Sequence, residues 1–234
     1  MIQKKIKSIE LNRDVDIYVY LPASYNEQLK YPVVYMHDGQ NLSDPSLTEY
    51  GHTWQVEEMM NYMVKEVIVV GISSPQDKRR RDELNPYPNE DSLGLGIKYL
   101  DFVIDVVRYI DETYSTLADA SNRLMLGSSL GGHITTYAAV HYTDYFENFS
   151  CLSNAYWYDK RILNEIPLIN NVKMYLDVGT NEGNDEYVSL NDQAFKLLMN
   201  EDSLYIKIPG AVHNEQEWAV RLPMIIRWFF GGRV

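Results

Sequence analysis

Leu124-Met125-Leu126-Gly127-Ser128-Ser129-Leu130-Gly131-Gly132 carries more structural information than any other segment of the chain. Its three leading apolar residues read as a buried strand, and Ile134 to Val140 continue beyond the glycines with helical spacing. Between them lies Gly-x-Ser-x-Gly in a strand-turn-helix setting. The physics of that pattern is steric. Ser129 sits on a turn so sharp that its backbone is strained and its hydroxyl projects above the sheet. Gly127 and Gly131 lie two residues to either side, where a side chain would collide as strand and helix close on each other. Ser128 is a neighbouring hydroxyl, but the glycine spacing centres on Ser129.

On either side of this turn the apolar segments alternate in kind. Ile6 to Leu11 and Val15 to Leu21 read as an antiparallel strand pair joined by Asn12-Arg13-Asp14. Tyr31 to Met36, Val67 to Ile72, Leu124 to Leu126, Phe149 to Leu152, Val172 to Val178 and Leu204 to Ile208 read as further strands, several apolar enough to be buried on both faces. Helical spacing appears at Trp54 to Met63, Leu100 to Ile110, Ile134 to Val140, Ala194 to Leu198 and Trp218 to Phe230. The alternation predicts an α/β fold, with a mostly parallel sheet of about eight strands and helices on both faces. Ligands of such sheets bind outside the carboxyl ends of the strands, so the chemistry is expected there.

The chain has 234 residues, of which 45% are hydrophobic and 23% charged, as expected of one folded α/β domain spanning 1–234. Its 21 basic and 33 acidic residues give a net charge of -12. That sign repels phosphate backbones and anionic lipid, so neither nucleic acid nor a membrane surface is an expected partner. Self-association into a homo-oligomer is compatible with the sequence. The one cysteine, Cys151, excludes an internal disulfide and reads as a packing residue in a strand. The N-terminal stretch has charges but no apolar run behind them, so the expected location is cytoplasmic.

A serine hydroxyl needs a general base near neutral pH. The five histidines are His37, His52, His133, His141 and His213. Nucleophile, acid and histidine follow in that chain order on a sheet of this type, and only His213 lies after the last strand. His133 reads as a packing or helix-surface residue, and His141 as a favourable charge at a helix C-terminus. His52 reads as a pocket or surface residue, and His37 as support for the loop it precedes or as a plain buried histidine. No histidines or carboxylates show zinc-ligand spacing, so neither a metal nor another cofactor is expected. The acid belongs after the seventh strand, where Asp177, Glu182 and Asp185 stand. Asp177 falls inside the strand run. Glu182 follows Gly179-Thr180-Asn181 where the strand opens into a loop and is the preferred candidate, with Asp185 the alternative. An oxyanion hole calls for backbone amides. Leu130, at a helix N-terminus, supplies one and Gln40, after Gly39, the other.

His37-Asp38-Gly39-Gln40-Asn41-Leu42, Arg80-Arg81-Asp82-Glu83-Leu84-Asn85-Pro86, Gly127 to Gly132, Gly179-Thr180-Asn181-Glu182 and His213-Asn214-Glu215 with Trp218 occur in that order. Together they resemble the esterase family of α/β-hydrolases that includes the esterase D, enterochelin-esterase-like and feruloyl-esterase-like groups. The resemblance covers about residues 10 to 230. It implies the α/β-hydrolase fold, with Ser129 as nucleophile, His213 as base and a carboxylate near Glu182. Many relatives carry Asp at the acid position. Relatives include feruloyl and acetyl esterases acting on plant polysaccharide, siderophore esterases, S-formylglutathione hydrolases and mycolyltransferases.

Three segments at the carboxyl edge are expected to shape the pocket: residues 38–53, residues 73–95 and Tyr156-Trp157-Tyr158. Candidate pocket residues are His37, Asp38, Trp54, Arg81, Tyr156 and Trp157. The run Lys78 to Arg81 reads either as a solvated loop paired with Asp77, Asp82 and Glu83 or as an attractor for an anionic substrate. The interval of about 20 residues between strands six and seven is too short for a cap domain. The leading expectation is a serine carboxylesterase for short-chain or aryl esters of the acetyl or feruloyl type, including esters of carbohydrates. A siderophore esterase and an S-formylglutathione-type thioesterase are alternatives. Acyl transfer to an alcohol and a non-catalytic binding protein on the same scaffold are further readings.

Overall fold

The computed structural model describes residues 1–48, 51–63 and 65–231. Among them, eight strands form one sheet: β1 (Ile2–Ser8), β2 (Arg13–Tyr20), β3 (Val33–His37), β4 (Ile68–Ile72), β5 (Arg123–Ser128), β6 (Asn148–Leu152), β7 (Lys173–Gly179) and β8 (Ser203–Ile208). Their spatial order is β1-β2-β4-β3-β5-β6-β7-β8. The β2 strand runs antiparallel to β1 and β4, and all later neighbours are parallel. The helices are α1 (Val56–Met60), α2 (Lys78–Glu83), α3 (Gly96–Thr113), α4 (Leu130–His141), α5 (Asp185–Leu197), α6 (Glu215–Ala219) and α7 (Leu222–Phe230). None is long and apolar enough to cross a membrane.

Strands β3 to β6 are buried along their whole length because each face is covered. Along β3, Val33 and Tyr35 enter one core while Val34 and Met36 enter the other, as period-two alternation requires. The first core adds Met125, Phe149 and Leu176 from neighbouring strands to the α3 stripe Tyr99, Phe102, Val103, Val106 and Ile110. The second packs Leu124, Leu126, Leu152 and Tyr175 against Leu222, Ile225, Ile226 and Phe229 of α7. Each fully buried aliphatic or aromatic side chain here contributes roughly 1.5–3 kcal/mol. This is the α/β-hydrolase arrangement. The 153–172 interval holds two short 3-10 turns, Lys160–Asn164 and Ile166–Leu168, and no cap domain.

Several local expectations shift. The hairpin turn lies before Arg13, with Asn12 at φ 50° and its amide bonded to the Ile9 carbonyl, so β1 starts and ends earlier than Ile6 to Leu11. β1 is an exposed edge strand carrying Lys4, Lys5 and Lys7, and so lacks the apolar alternation that would have marked it. The helix read at Ala194 to Leu198 begins at Asp185, because Asn184 caps it by accepting from the Glu186 amide. The segment 73–95 is not all loop: Asp77 caps the short helix α2. The final helix is two helices, with Pro223 in the first turn of the second.

β3 and β5 are adjacent parallel strands at the centre of the sheet, with Met36 opposite Leu126. The chain leaves β3 for β4 on one side and reaches β5 on the other. The crevice at their carboxyl ends is therefore where the backbone diverges and a ligand fits.

Candidate active site

Ser129 occupies that crevice at φ 55°, ψ −120°, a conformation an L-residue adopts only under constraint. The constraint is visible in three backbone hydrogen bonds. The Ser129 amide donates to the Leu152 carbonyl at 2.9 Å, and its own carbonyl accepts from the His133 and Ala155 amides at 3.1 Å each. A Cβ on Gly127 would overlap the Gly131 carbonyl and come within 2.8 Å of His37 Cδ2, so only glycine lets the strand and α4 close up. Leu130 opens α4, so its amide lies at the positive end of the helix. Across the crevice Gln40 lies in the 3-10 turn Gly39–Asn41, and its side chain is fixed by Ser74 through both the amide (3.1 Å) and the hydroxyl (3.2 Å).

His213 comes from the loop between β8 and α6. Its Nδ1 donates to Glu182 Oε2 at 2.5 Å. The other carboxylate oxygen of Glu182 accepts from the Gly179 amide and the Ser153 hydroxyl, both at 2.6 Å. The Ser153 hydroxyl in turn accepts from Trp218 Nε1 at 2.8 Å. The Glu182 side chain is 1% exposed against 24% for the His213 side chain, so the carboxylate is sealed behind the imidazole. A Cβ on Gly179 would press within 2.7 Å of Glu182 Oε1, which explains a glycine at the end of β7. Asp185, by contrast, is exposed at the start of α5. Asp177 is buried in a separate ion pair with Arg221 (2.7 and 3.2 Å) and also accepts from the Tyr175 hydroxyl. Of the three carboxylates weighed from the sequence, Glu182 is the one that meets His213.

Two cavities flank Ser129. One, of about 230 Å³, is lined by Asp38, Gln40, Arg80, Ser129, His213 and Trp218. The other, of about 390 Å³, is lined by Arg80, Arg81, Ser129, Leu130, Trp157 and Tyr158. Arg80 borders both. Its guanidinium grips the buried Asp38 carboxylate in a bidentate pair, Nε to Oδ1 and Nη2 to Oδ2 at 2.7 Å each. Ser74 donates a further hydrogen bond to Asp38. Burial opposes ionisation of Asp38, but the Arg80 charge and these hydrogen bonds outweigh it and hold the carboxyl below its ordinary value. The basic run thus divides: Arg79 pairs with Asp77 in solvent, while Arg80 turns inward.

Of the expected pocket residues, Asp38, Arg81 and Trp157 line these cavities, and Trp157 is 38% exposed. His37, Trp54 and Tyr156 do not. His37 is buried under the Ser129 turn, bonded to the Tyr99 hydroxyl (2.7 Å) and Thr135 Oγ1 (3.1 Å), and burial pushes its pKa down to about 4. Trp54 packs on Trp218 with ring centroids 5.8 Å apart. Tyr156 is fully buried with its hydroxyl 3.2 Å from Thr136 Oγ1. Aromatic side chains next to a site are drawn into the core unless the backbone turns them outward. Ser153 and Tyr187 went unmarked in the sequence, and Arg80 was marked only as part of the run Lys78 to Arg81. Ser153 directly follows β6 at the carboxyl edge, where a search by strand ends would have found it; Tyr187 on α5 offered no such signal.

Solved structures share this fold, three of them as follows. The BES protein from Bacillus cereus matches with a TM-score of 0.80 at 16% identity, covering 97% of this chain and 94% of that one. The enterobactin esterase FES from Shigella flexneri matches at 0.76 and 17% identity; it covers 99% of this chain, which spans 60% of that protein. A ferulic acid esterase matches at 0.69 and 19% identity, covering 97% of this chain and 98% of that one. The family model described as "Putative esterase" matches residues 8–229. With nearly its whole length matched, on an α/β-hydrolase sheet with a serine on the strained turn after β5, the chain belongs to the "Putative esterase" family and is an esterase.

Proposed function

We propose that this esterase is a serine carboxylesterase acting through an acyl-enzyme on Ser129. The observation that carries the reading is the His213–Glu182 hydrogen bond opening onto the cavity that Ser129 lines. An ionised Glu182 only accepts hydrogen bonds, so it keeps the proton on Nδ1 and leaves Nε2 free to take one. His213 Nε2 removes the Ser129 proton as Oγ attacks the ester carbonyl. The amides of Leu130 and Gln40 receive the developing oxyanion, and His213 returns the proton to the departing alcohol. Water then repeats the sequence on the acyl-enzyme.

Substrate choice follows from the walls. Trp157 and Tyr158 offer flat apolar faces, and Arg80 a fixed cation beside the reacting centre. With no cap domain over the sheet edge, a bulky alcohol such as a sugar chain or siderophore fits, and a long acyl chain finds no enclosing tunnel. Short-chain and aryl esters are the proposed substrates. The test is labelling with a fluorophosphonate followed by peptide mapping, beside hydrolysis of acetyl and aryl esters. An adduct on Ser129 with parallel loss of turnover supports the reading; an adduct on Ser128, or undiminished turnover by Ser129→Ala, overturns it.

A further inference from the structure

The imidazole of His213 is held between two aromatic rings. Trp218 meets it edge-on at 4.9 Å and 88°, and Tyr187 lies over it at 4.6 Å and 42°. Trp218 spends its only side-chain donor on Ser153. Tyr187 directs its hydroxyl toward the reaction side: the oxygen is 3.4 Å from Nε2, the nitrogen opposite the one bonded to Glu182. The same hydroxyl makes polar contact with the side chains of Ser129 and Trp157. Tyr187 is only 7% exposed, and burial pushes its phenol above the ordinary value, so it keeps its proton at neutral pH.

These contacts have a consequence for the reaction, and the argument rests on the Ser129–His213 reading above. In the free enzyme Nε2 is an acceptor, and the Tyr187 hydroxyl can donate to it. Once Nε2 has taken the Ser129 proton it becomes a donor, and that interaction with Tyr187 is lost. The phenolic proton must then find another acceptor. The leaving-group oxygen is the one that arrives, because it must approach within about 3 Å of Nε2 to receive its proton. A hydroxyl beside both Nε2 and Ser129 borders that point.

We propose that Tyr187 is a catalytic residue whose hydroxyl donates a hydrogen bond to the leaving-group oxygen as the acyl C–O bond breaks. The bonding pair departs with that oxygen, the proton it acquires comes from His213 Nε2, and Tyr187 retains its own proton throughout. In deacylation the attacking water occupies the same place. The donor matters in proportion to the charge on the departing oxygen. An alkoxide depends on it strongly, whereas p-nitrophenolate, already stabilised by its ring, depends on it weakly.

The experiment compares native protein with Tyr187→Phe on a series of acetyl esters whose alcohols run from p-nitrophenol through phenol to ethanol. The readout is kcat/KM, which reports acylation. Loss of a hydrogen bond to a charged oxygen predicts a fall of about 10- to 100-fold for the ethyl ester. For the p-nitrophenyl ester the fall should be less than about threefold, because little charge remains to be met. A uniform loss across the series, or no loss anywhere, overturns the proposal, since a purely packing role is blind to the leaving group. A ring-fluorinated tyrosine at position 187 keeps the packing and sharpens the donor. It should raise the ethyl-ester rate and leave the p-nitrophenyl rate in place; equal changes on both also overturn the proposal. Ser129→Ala separates the two levels. If it retains turnover, the esterase reading of Ser129 fails; if it is inactive while Tyr187→Phe is uniform across the series, only the role of Tyr187 fails.

Discussion

Glu182→Gln is the most informative single change in this protein. It keeps the volume and removes one charge and one acceptor. One side of the native carboxylate accepts from Gly179 N–H and Ser153 O–H, and the other from His213 Nδ1–H, so every group around it is a donor. Glutamine has one acceptor atom and one donor group to place there. If its carbonyl oxygen stays with Gly179 and Ser153, the NH₂ faces Nδ1 and forces the proton onto Nε2, where it blocks base catalysis. If the amide flips, its NH₂ confronts the Gly179 amide, and a buried donor left without a partner costs about 1–3 kcal/mol. The first arrangement is therefore favoured, and it holds the wrong tautomer. The expected loss is about 10³- to 10⁴-fold in kcat, equal to roughly 4–5.5 kcal/mol on the barrier. Steady-state kinetics on a short-chain ester measures it, with a melting curve to establish that the fold survives. Full activity in Glu182→Gln together with loss in Asp185→Asn would refute the reasoning and transfer the acid to Asp185.

Ser129→Ala and His213→Ala should each lower turnover by several orders of magnitude, with the double substitution hardly worse, because the pair acts as a unit; additive losses in the kinetics would contradict this. Stability should fall as pH drops from 6.5 toward 4. His37 and His133 are both lowered by burial to about 4, so the unfolded chain binds more protons across that window. Each contributes about 3 kcal/mol over the window at 1.36 kcal/mol per pH unit. Urea unfolding at several pH values reads it, and His133→Leu should flatten the dependence, since neither ring nitrogen of His133 has a hydrogen-bond partner to lose. With no cap domain, the rate on a short-chain ester should follow the dissolved ester and level off at the solubility limit, and a sharp increase at a lipid interface would count against an open site.

The strand-turn-helix around Ser129 was legible in the sequence because its causes are local. Glycines flank a serine where chain and helix nearly touch, and apolar runs of strand length announce burial on both faces. The mostly parallel sheet and the absence of a cap domain follow from segment lengths and their spacing, whereas the place of β4 between β2 and β3 was not predicted. The weakly patterned elements were the ones misplaced. β1 is mostly solvent-exposed, and the start of α5 is set by the cap of Asn184 more than by any apolar stripe. Side-chain destinations were less legible still. Nothing in the spacing of Glu182 and Asp185 tells which one meets His213. That depends on β7 and β8 lying side by side, so that the Asn181 amide bonds to the Ala211 carbonyl and the two loops are fastened together. Nor does the run Lys78 to Arg81 disclose that Arg80 alone is bound to Asp38, a partner brought close by the parallel pairing of β3 and β4. Sequence by itself determined the layers and the strained turn at Ser129, because periodicity and glycine sterics act over a few residues. The tertiary structure decided the partners, because a hydrogen bond across a sheet edge joins residues whose distance in space bears no relation to their distance along the chain.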